Sequence, residues 1–181
     1  MAHPAQSEFL AFVKTKFVEY FCETDVVEVG SLNINGSCRD FFHNPTMYVG
    51  IDLGEGAGVN WVGSGHEFDQ SLGAWDVVIS AEMFEHNKYW KETWVRMVEL
   101  ARPGGLVVFT CATTGRAEHG TRKSGLRNAP FLEGKWEDYY KNLTEDDFRG
   151  IMDFDEHFSQ HQFSTHESAN DLYFYGIKKE G

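Results

Sequence analysis

The sequence predicts an α/β fold, a Rossmann-like, doubly wound sheet that is mostly parallel and ends in an antiparallel C-terminal edge hairpin. Short apolar runs alternate with helical patterns over residues 25–112. Within them, residues 75–112 follow the order strand, helix, Pro-Gly-Gly turn and strand, which is typical of a parallel crossover. Near the C-terminus, two β-like runs are separated only by "HESAND", which predicts the hairpin.

The composition predicts one domain over residues 1–181. Hydrophobic residues make up 41% of the chain, which is enough for a core of that size. The net charge of −12 disfavours a nucleic-acid partner. Because no apolar stretch reaches about 18 residues, we expect no membrane contact. These features favour a small-molecule partner and leave a homodimer open.

The cysteines and the N-terminus indicate the compartment. Cys22, Cys38 and Cys111 are odd in number and far apart in the sequence, so they predict reduced thiols rather than a disulfide framework. The N-terminus lacks the basic and apolar pattern of a secretory signal. We therefore expect a cytoplasmic protein.

Apolar periodicity assigns the elements in chain order. Residues 7–22 predict an amphipathic helix within the N-terminal segment 1–22, with Ser7 as its N-cap. Residues 75–80, "WDVVIS", have the apolar character of a buried parallel strand. The other predicted elements are strands 25–29, 47–53, 59–62 and 106–112, a helix at 88–101, and hairpin strands 158–165 and 172–178.

Residues 115–157 interrupt this alternation. Residues 115–134 lack periodicity and predict a long loop, which in a compact domain is usually functional or mobile. An aromatic and acidic helical pattern follows at residues 136–152. We expect this insertion to overhang the strand ends and to form an acceptor site. The predicted pocket wall consists of Phe84, Trp136, Tyr139 and Tyr140.

The loop after the first strand, "GSLNING", is short of glycine for a phosphate-binding loop. Gly30 and Gly36 enclose five residues, and Ser37 stands where a nucleoside-triphosphate loop has its lysine. Leu32 replaces the middle glycine of a dinucleotide fingerprint, which weakens the case for a nicotinamide cofactor. In a doubly wound sheet this loop nevertheless lies at the topological switch point, where ligands bind.

Asp52 ends the second predicted strand, 22 residues after Gly30. At this spacing an acidic side chain receives ribose hydroxyls in such folds, and a carboxylate can accept two hydroxyl protons at once. An acidic turn residue before glycine is the alternative for Asp52 taken alone. Together with Glu28 and Gly30 at the end of the first strand, Asp52 favours a nucleoside ligand.

Six motifs, in order, resemble those of the class I S-adenosylmethionine-dependent methyltransferases, and type 11 methyltransferases in particular. They are "VVEVGS", "YVGIDL", "VGSGHEF", "WDVVISAEMFEH", "MVELARPGGLVVFT" and "DLYFYGIK". The resemblance spans residues 26–178. It implies a Rossmann-like sheet whose last strand runs antiparallel, and S-adenosyl-L-methionine as the cofactor.

The resemblance also implies cofactor-binding positions. These are Glu28, Gly30, Ser31, Asn33, Asp52, Leu53, Ser64, Gly65, His66, Glu67, Ala81 and Glu82. Two features depart from the family pattern. The first loop lacks a Gly-x-Gly core, and Ser64 stands where an aspartate commonly contacts the adenine, so His66, Glu67 or the backbone of Gly65 would replace that contact. The segment after Asp52 is too short for a full helix, which predicts a trimmed fold.

Methyl transfer to a small-molecule oxygen acceptor is the activity that these features favour. The cofactor carries the reactivity, so few catalytic side chains are needed beyond a base, for which His86 and His119 are the candidates. His157 and His161 are four residues apart, but their segment alternates like an exposed strand, so we predict no metal site. An NAD(P)-dependent oxidoreductase and a non-catalytic nucleoside-cofactor-binding module are the alternatives.

Overall fold

A computed structural model, which describes residues 4–180, contains one seven-stranded sheet with helices packed on both faces. The strands are β1 (Asp25–Val29), β2 (Met47–Asp52), β3 (Trp61–Val62), β4 (Trp75–Ala81), β5 (Ala101–Ala112), β6 (Phe158–His166) and β7 (Asp171–Lys178). The helices are α1 (Pro4–Lys16), α2 (Trp90–Leu100), α3 (Glu145–Arg149) and α4 (Phe154–His157).

The sheet has the order β3-β2-β1-β4-β5-β7-β6. Pairing is parallel from β3 through β5, and β7 runs antiparallel to both β5 and β6. This topology confirms the predicted fold class, including the C-terminal hairpin. Because β1 lies between β2 and β4, the chain reverses its winding at the end of β1, where doubly wound folds bind their ligands.

The two faces of the sheet are covered by different helices. Side chains alternate along β1, so Val27 and Val29 join the core under α2, whereas Val26 joins the core under α1. The α2 side is densely aromatic, and Trp94 lies at its centre. Burial against α2 and against the later helices therefore holds the sheet from β1 to β7.

The predicted N-terminal helix is wrong at both ends. Helix α1 begins at Pro4, so Ser7 lies inside it and is not its N-cap. The helix ends at Lys16 because Phe17 leaves helical geometry with φ −133°, and a 3₁₀ turn at Val18–Phe21 follows. Of the predicted segment 1–22, residues 1–3 lie outside the described residues, as does Gly181.

Most other boundaries differ from prediction by one or two residues, and two differ by more. Of the helical pattern at 136–152, only α3 forms, because Thr144 and Asp147 cap each other and start the helix there. Backbone N–H groups of the preceding residues bond to distant parts of the chain instead of forming a helix. For example, the N–H of Lys141 donates to the carbonyl of Glu85 (2.9 Å). Strand β5 begins at Ala101, before the predicted 106, since its first residue pairs with Trp75 beyond a register shift.

The crossovers that precede β2 and β3 contain no α-helix, which agrees with the predicted trimming. Residues 53–60 connect β2 to β3 directly, and residues 30–46 form only a 3₁₀ turn at Cys38–Phe41. The backbone N–H groups of Gly30 and Ser31 both donate to the carbonyl of Ile51 (2.9 and 3.0 Å). The loop after β1 is thereby held against the end of β2 by hydrogen bonds.

The three cysteines are free thiols, as predicted. Among residues 4–180, no helix combines the length and the apolar character needed to cross a bilayer.

Trp94 tests the aromatic core. The centroid of its ring lies 5.4 Å from that of Phe109 and 5.3 Å from that of Phe174. Its indole N–H is buried and donates no hydrogen bond to any of the described residues. We expect Trp94→Ala to lower the free energy of unfolding by about 3–5 kcal/mol. Trp94→Phe should cost less than Trp94→Ala, because it keeps an aromatic ring, leaves a smaller cavity and removes the unbonded N–H.

Urea unfolding followed by circular dichroism measures both changes. Phe12→Ala serves as the control, since that ring is half exposed. Equal losses for Trp94→Ala and Phe12→Ala would show that the core does not depend on Trp94.

Candidate active site

A cavity of about 480 Å³ opens at the carboxyl ends of β1, β2 and β4. Its volume is in the range of small-molecule and cofactor sites. The lining comes from the three strand ends and from a covering segment, residues 116–141. Its lining includes Gly30, Leu32, Asp52, Leu53, Ser64, Gly65, Ala81, Glu82, Met83, His86, Arg116, His119, Phe131, Leu132 and Trp136.

Asp52 lies at the end of β2 and faces this cavity. Its two carboxylate oxygens accept the backbone N–H groups of Leu32 (2.9 Å) and Leu53 (2.7 Å). Burial raises the pKa of Asp52, and these two N–H groups oppose that shift. Each carboxylate oxygen has more than one acceptor site, so the group can bind both amides and still accept from a ligand.

Gly30 allows the closest approach of the β1 and β4 ends. Its φ is +81°, and a Cβ there would lie 2.6 Å from the Cβ of Met83. Only glycine tolerates both the positive φ and that contact, so glycine is required where the loop after β1 lies against Met83.

Glu28 points to the opposite face of the sheet from the α2 core. It accepts a hydrogen bond from the Tyr48 hydroxyl (2.6 Å), and the backbone N–H of Cys38 lies 3.4 Å away. Burial raises the pKa of Glu28, and both hydrogen bonds oppose the rise. Glu28 therefore anchors the loop after β1 and does not line the cavity.

Two residues of the predicted adenine loop line the cavity, and the other two stabilise the loop's own turn. Ser64 and Gly65 line the cavity, whereas His66 and Glu67 do not. The Ser64 hydroxyl lies 2.7 Å from Nδ1 of His66, and the Ser64 N–H donates to Glu67 (3.2 Å). The imidazole of His66 packs on Tyr89 at 4.5 Å, so His66 and Glu67 hold the turn in place.

Glu82 follows the last residue of β4 in a strained backbone conformation and lies beside the partly buried guanidinium of Arg116. Its φ is +53°, and its carboxylate lies 4.0 Å from the guanidinium of Arg116. Arg116 also pairs with buried Asp171 at 3.1 Å. Burial, with the charge of Asp171, raises the pKa of Glu82 to about 7, and Arg116 opposes that shift. Strain of this kind concentrates at functional sites.

Glu85, His86 and His119 bring three potential ligand atoms together below the cavity. Oε1 of Glu85 lies 3.9 Å from Nε2 of His86 and 3.9 Å from Nε2 of His119. Burial raises the pKa of Glu85 well above its usual range, and the charge of Glu82 adds to the rise. Burial lowers the pKa of His86 to about 3 and also lowers that of His119. Both imidazoles are therefore neutral at pH 7.

The covering segment packs over the cavity and is hydrogen-bonded to the turn that contains Glu85 and His86. The indole N–H of Trp136 donates to the carbonyl of His86 (2.7 Å). The Phe131 ring lies against Gly54, where a Cβ would be 2.7 Å from it, and Lys135 donates to the carbonyl of Leu53 (2.7 Å). Residues 116–141 thus contact both the Asp52 side and the histidine side of the cavity.

Of the predicted site residues, ten line the cavity. They are Gly30, Asp52, Leu53, Ser64, Gly65, Ala81, Glu82, His86, His119 and Trp136. Ser31 and Asn33 do not: Ser31 is buried beneath the loop, and Asn33 closes its own turn by accepting the N–H of Gly36 (3.0 Å). Both serve the loop's conformation.

Three predicted acceptor-site aromatics lie elsewhere. Phe84 is fully buried between Phe109 and Phe148, so the pocket-wall prediction is wrong for it. Tyr139 packs against the aromatic core. Tyr140 supports the histidines from behind, with its ring 5.6 Å from His86 and 5.1 Å from His119.

Several residues in or near the cavity wall carried no clear signal in the sequence. Arg116 was one of four basic residues in an aperiodic stretch, and its pairing with Asp171 spans 55 positions. Phe131 and Leu132 belong to that stretch as well. Glu85 stands within "AEMFEH", but only the fold shows that it is fully buried.

Comparison with solved structures identifies the fold. Haemonchus contortus phosphoethanolamine N-methyltransferase 2, with phosphomonomethylethanolamine and S-adenosylhomocysteine, is 14% identical at a TM-score of 0.67, over 96% of this chain and 53% of that one. Bradyrhizobium japonicum N-methyltransferase NodS, with S-adenosylhomocysteine, is 13% identical at 0.58, over 94% and 87%. Burkholderia thailandensis 1,6-didemethyltoxoflavin-N1-methyltransferase is 16% identical at 0.59, over 94% and 76%.

The chain has the fold of the class I S-adenosylmethionine-dependent methyltransferases. It spans about half the length of the Haemonchus enzyme. No protein-family model matches the chain, and no curated protein sequence does.

Substitution of Gly120 tests whether the covering segment packs directly against His86. Its φ is +66°, and a Cβ there would lie 2.7 Å from Cε1 of His86. Gly73 has a φ of +70° with nothing within 4 Å of that position, so it is a matched control. We expect Gly73→Ala to cost about 1–2 kcal/mol of unfolding free energy for its backbone alone. Gly120→Ala should cost at least about 1 kcal/mol more, from overpacking.

Urea unfolding measures the difference between the two variants. If they lose the same free energy, His86 does not pack against Gly120 as described.

Proposed function

We propose that this protein is an S-adenosylmethionine-dependent methyltransferase acting on a small-molecule acceptor, with oxygen as the methylated atom. One observation carries the proposal. Gly30, Asp52 and His119, from a strand end, a neighbouring strand end and the covering segment, line one cavity of about 480 Å³. That cavity joins a nucleoside-type subsite to neutral imidazoles.

The residues present fit the proposed cofactor. Asp52 would receive the ribose hydroxyls, while Leu53, Ser64 and Gly65 would border the adenine. Gly30 lines the cavity, and its positive φ and its contact with Met83 both require glycine, so the loop after β1 is held at the cavity wall where the cofactor would bind. Ala81 and Glu82 would lie beside the methionine portion. The neighbours solved with S-adenosylmethionine or S-adenosylhomocysteine support this assignment.

When bound, the cofactor supplies an electrophilic methyl group on a sulfonium, which moves to the acceptor oxygen by direct displacement and leaves a neutral thioether. The protein positions the acceptor and excludes water through the covering segment. The hydroxyl proton must also leave the oxygen. His119 is the better base, because the low pKa of His86, about 3, makes His86 a weak proton acceptor.

The covered cavity and the net charge of −12 support a small molecule over a nucleic acid as acceptor. The free thiols support a cytoplasmic setting.

Two measurements separate this activity from its alternatives. Isothermal titration with S-adenosylhomocysteine and with NAD(P) distinguishes a methyltransferase site from an oxidoreductase site. Transfer of a labelled methyl group to a panel of hydroxyl, amine and carbon acceptors then tests catalysis. Binding of S-adenosylhomocysteine with no transfer to any acceptor would favour a non-catalytic module.

Asp52→Ala tests the ribose assignment. Hydrogen bonds to a charged group are worth about 1.5–3 kcal/mol, so we expect the dissociation constant of S-adenosylhomocysteine to rise at least about tenfold. The matched control is Asp69→Ala, which removes an exposed carboxylate outside the cavity. Isothermal titration gives both values.

Because Asp52 also binds two backbone N–H groups, a second ligand separates contact from loop support. The 2′-deoxy form of methylthioadenosine should bind the parent more weakly than methylthioadenosine does, and this difference should shrink in Asp52→Ala. A difference of the same size in both proteins would exclude a contact between Asp52 and the 2′-hydroxyl.

A further inference from the structure

We propose that Glu85, His86 and His119 bind one divalent transition-metal ion at the acceptor end of the cavity. The site contains two imidazoles and one carboxylate from two separate parts of the chain. Glu85 and His86 lie in the 3₁₀ turn Phe84–His86 after β4, and His119 lies in the covering segment.

The distances match a metal cluster before its ion is bound. One ligand atom from each residue lies within 4.8 Å of the others, and Oε1 of Glu85 is 3.9 Å from Nε2 of both histidines. With metal bonds of about 2.1 Å, ligand atoms in a tetrahedral site lie about 3.4 Å apart. Small rotations of the three side chains would therefore close the site.

The burial of Glu85 is the independent observation that points to a cation. The side chain is fully buried, and no hydrogen bond of normal geometry reaches either carboxylate oxygen from the residues that the structure describes. The backbone N–H groups of Glu85 and Ala112 oppose the rise in the pKa of Glu85, but neither reaches hydrogen-bond geometry with its carboxylate. A buried carboxyl group without partners is costly, and a bound cation would remove that cost.

The histidines have nitrogen lone pairs available. Nδ1 of His119 lies 3.1 Å from the carbonyl oxygen of Ala117. A carbonyl only accepts, so Nδ1 carries the proton and Nε2, which faces Glu85, has the free lone pair. Nδ1 of His86 is buried without a hydrogen bond in the described part of the chain. The two rings lie 4.8 Å apart, nearly perpendicular.

The ligand set indicates the class of ion. Two imidazoles with one carboxylate suit Zn²⁺, Fe²⁺ and Co²⁺ better than Mg²⁺ or Ca²⁺, which prefer oxygen ligands. Three protein ligands leave a coordination position free. Because His86 and His119 line the cavity, that position faces the space where an acceptor would bind.

The role of the ion rests on the proposed function, whereas the site itself does not. An acceptor hydroxyl bound to the ion would lose its proton to water near neutral pH, because a divalent metal lowers the pKa of a bound hydroxyl. The resulting oxygen would form the new bond to the methyl carbon as the sulfur–carbon bond breaks. With the ion bound, both histidines hold it, and water replaces His119 as the proton acceptor.

Titration of the untagged, chelator-treated protein with Co²⁺ tests the site directly. We expect one Co²⁺ per chain, with visible absorption bands of a low-symmetry site, and their loss when Zn²⁺ is added. Glu85→Gln and His119→Ala should each weaken Co²⁺ binding at least tenfold. His43→Ala is the matched control, since His43 is exposed and outside the cluster.

Circular dichroism and the affinity for S-adenosylhomocysteine, measured on every variant, separate this proposal from misfolding and from the proposed function. If a variant does not fold, the other one decides. Undiminished Co²⁺ affinity in a folded variant, or no Co²⁺ binding by the parent, would overturn the metal site. Failure to bind S-adenosylhomocysteine would instead refute the proposed cofactor and leave the Co²⁺ result interpretable.

Discussion

Parallel hydrogen bonding of β1 to both β2 and β4 is the constraint on which the site depends. The register pairs Val29 with Ile51 and Glu28 with Ile79, so the three strands end at the same edge. This register places Gly30, after β1, and Asp52, at the end of β2, on the same side of the cavity. No helix fills the crossovers on either side of β2, so the loops after β1 and β2 are held mainly by hydrogen bonds at the strand ends.

The aromatic core positions the histidine side of the cavity relative to the sheet. Phe84 is buried against Phe109 and Phe148, and it begins the turn that continues into Glu85 and His86. Packing of one ring therefore fixes two polar side chains. The same turn accepts hydrogen bonds from the covering segment, which couples closure of the cavity to the position of Glu85 and His86.

Charge is distributed unevenly along the cavity. At one end, Asp52 accepts hydrogen bonds from two backbone N–H groups. At the other end, Glu82 lies beside Arg116, whereas fully buried Glu85 has no nearby Lys or Arg among its ion pairs in residues 4–180. Burial raises the pKa of both carboxyl groups, so this end of the cavity carries less negative charge than its two acidic residues suggest.

Apolar periodicity and strand ends are local properties, so the order of strands and helices, the reversal at Gly30 and the position of Asp52 could be predicted from the sequence. Helix ends could not, as in residues 136–152, where the N–H of Lys141 bonds to the carbonyl of Glu85 and that of Leu143 to the carbonyl of Ala112. The directions of Glu28 and Phe84 away from the cavity, and the pairing of Arg116 with Asp171, became known from the folded structure. Burial and contacts between distant residues exist only after folding, and they alone bring Glu85, His86 and His119 together.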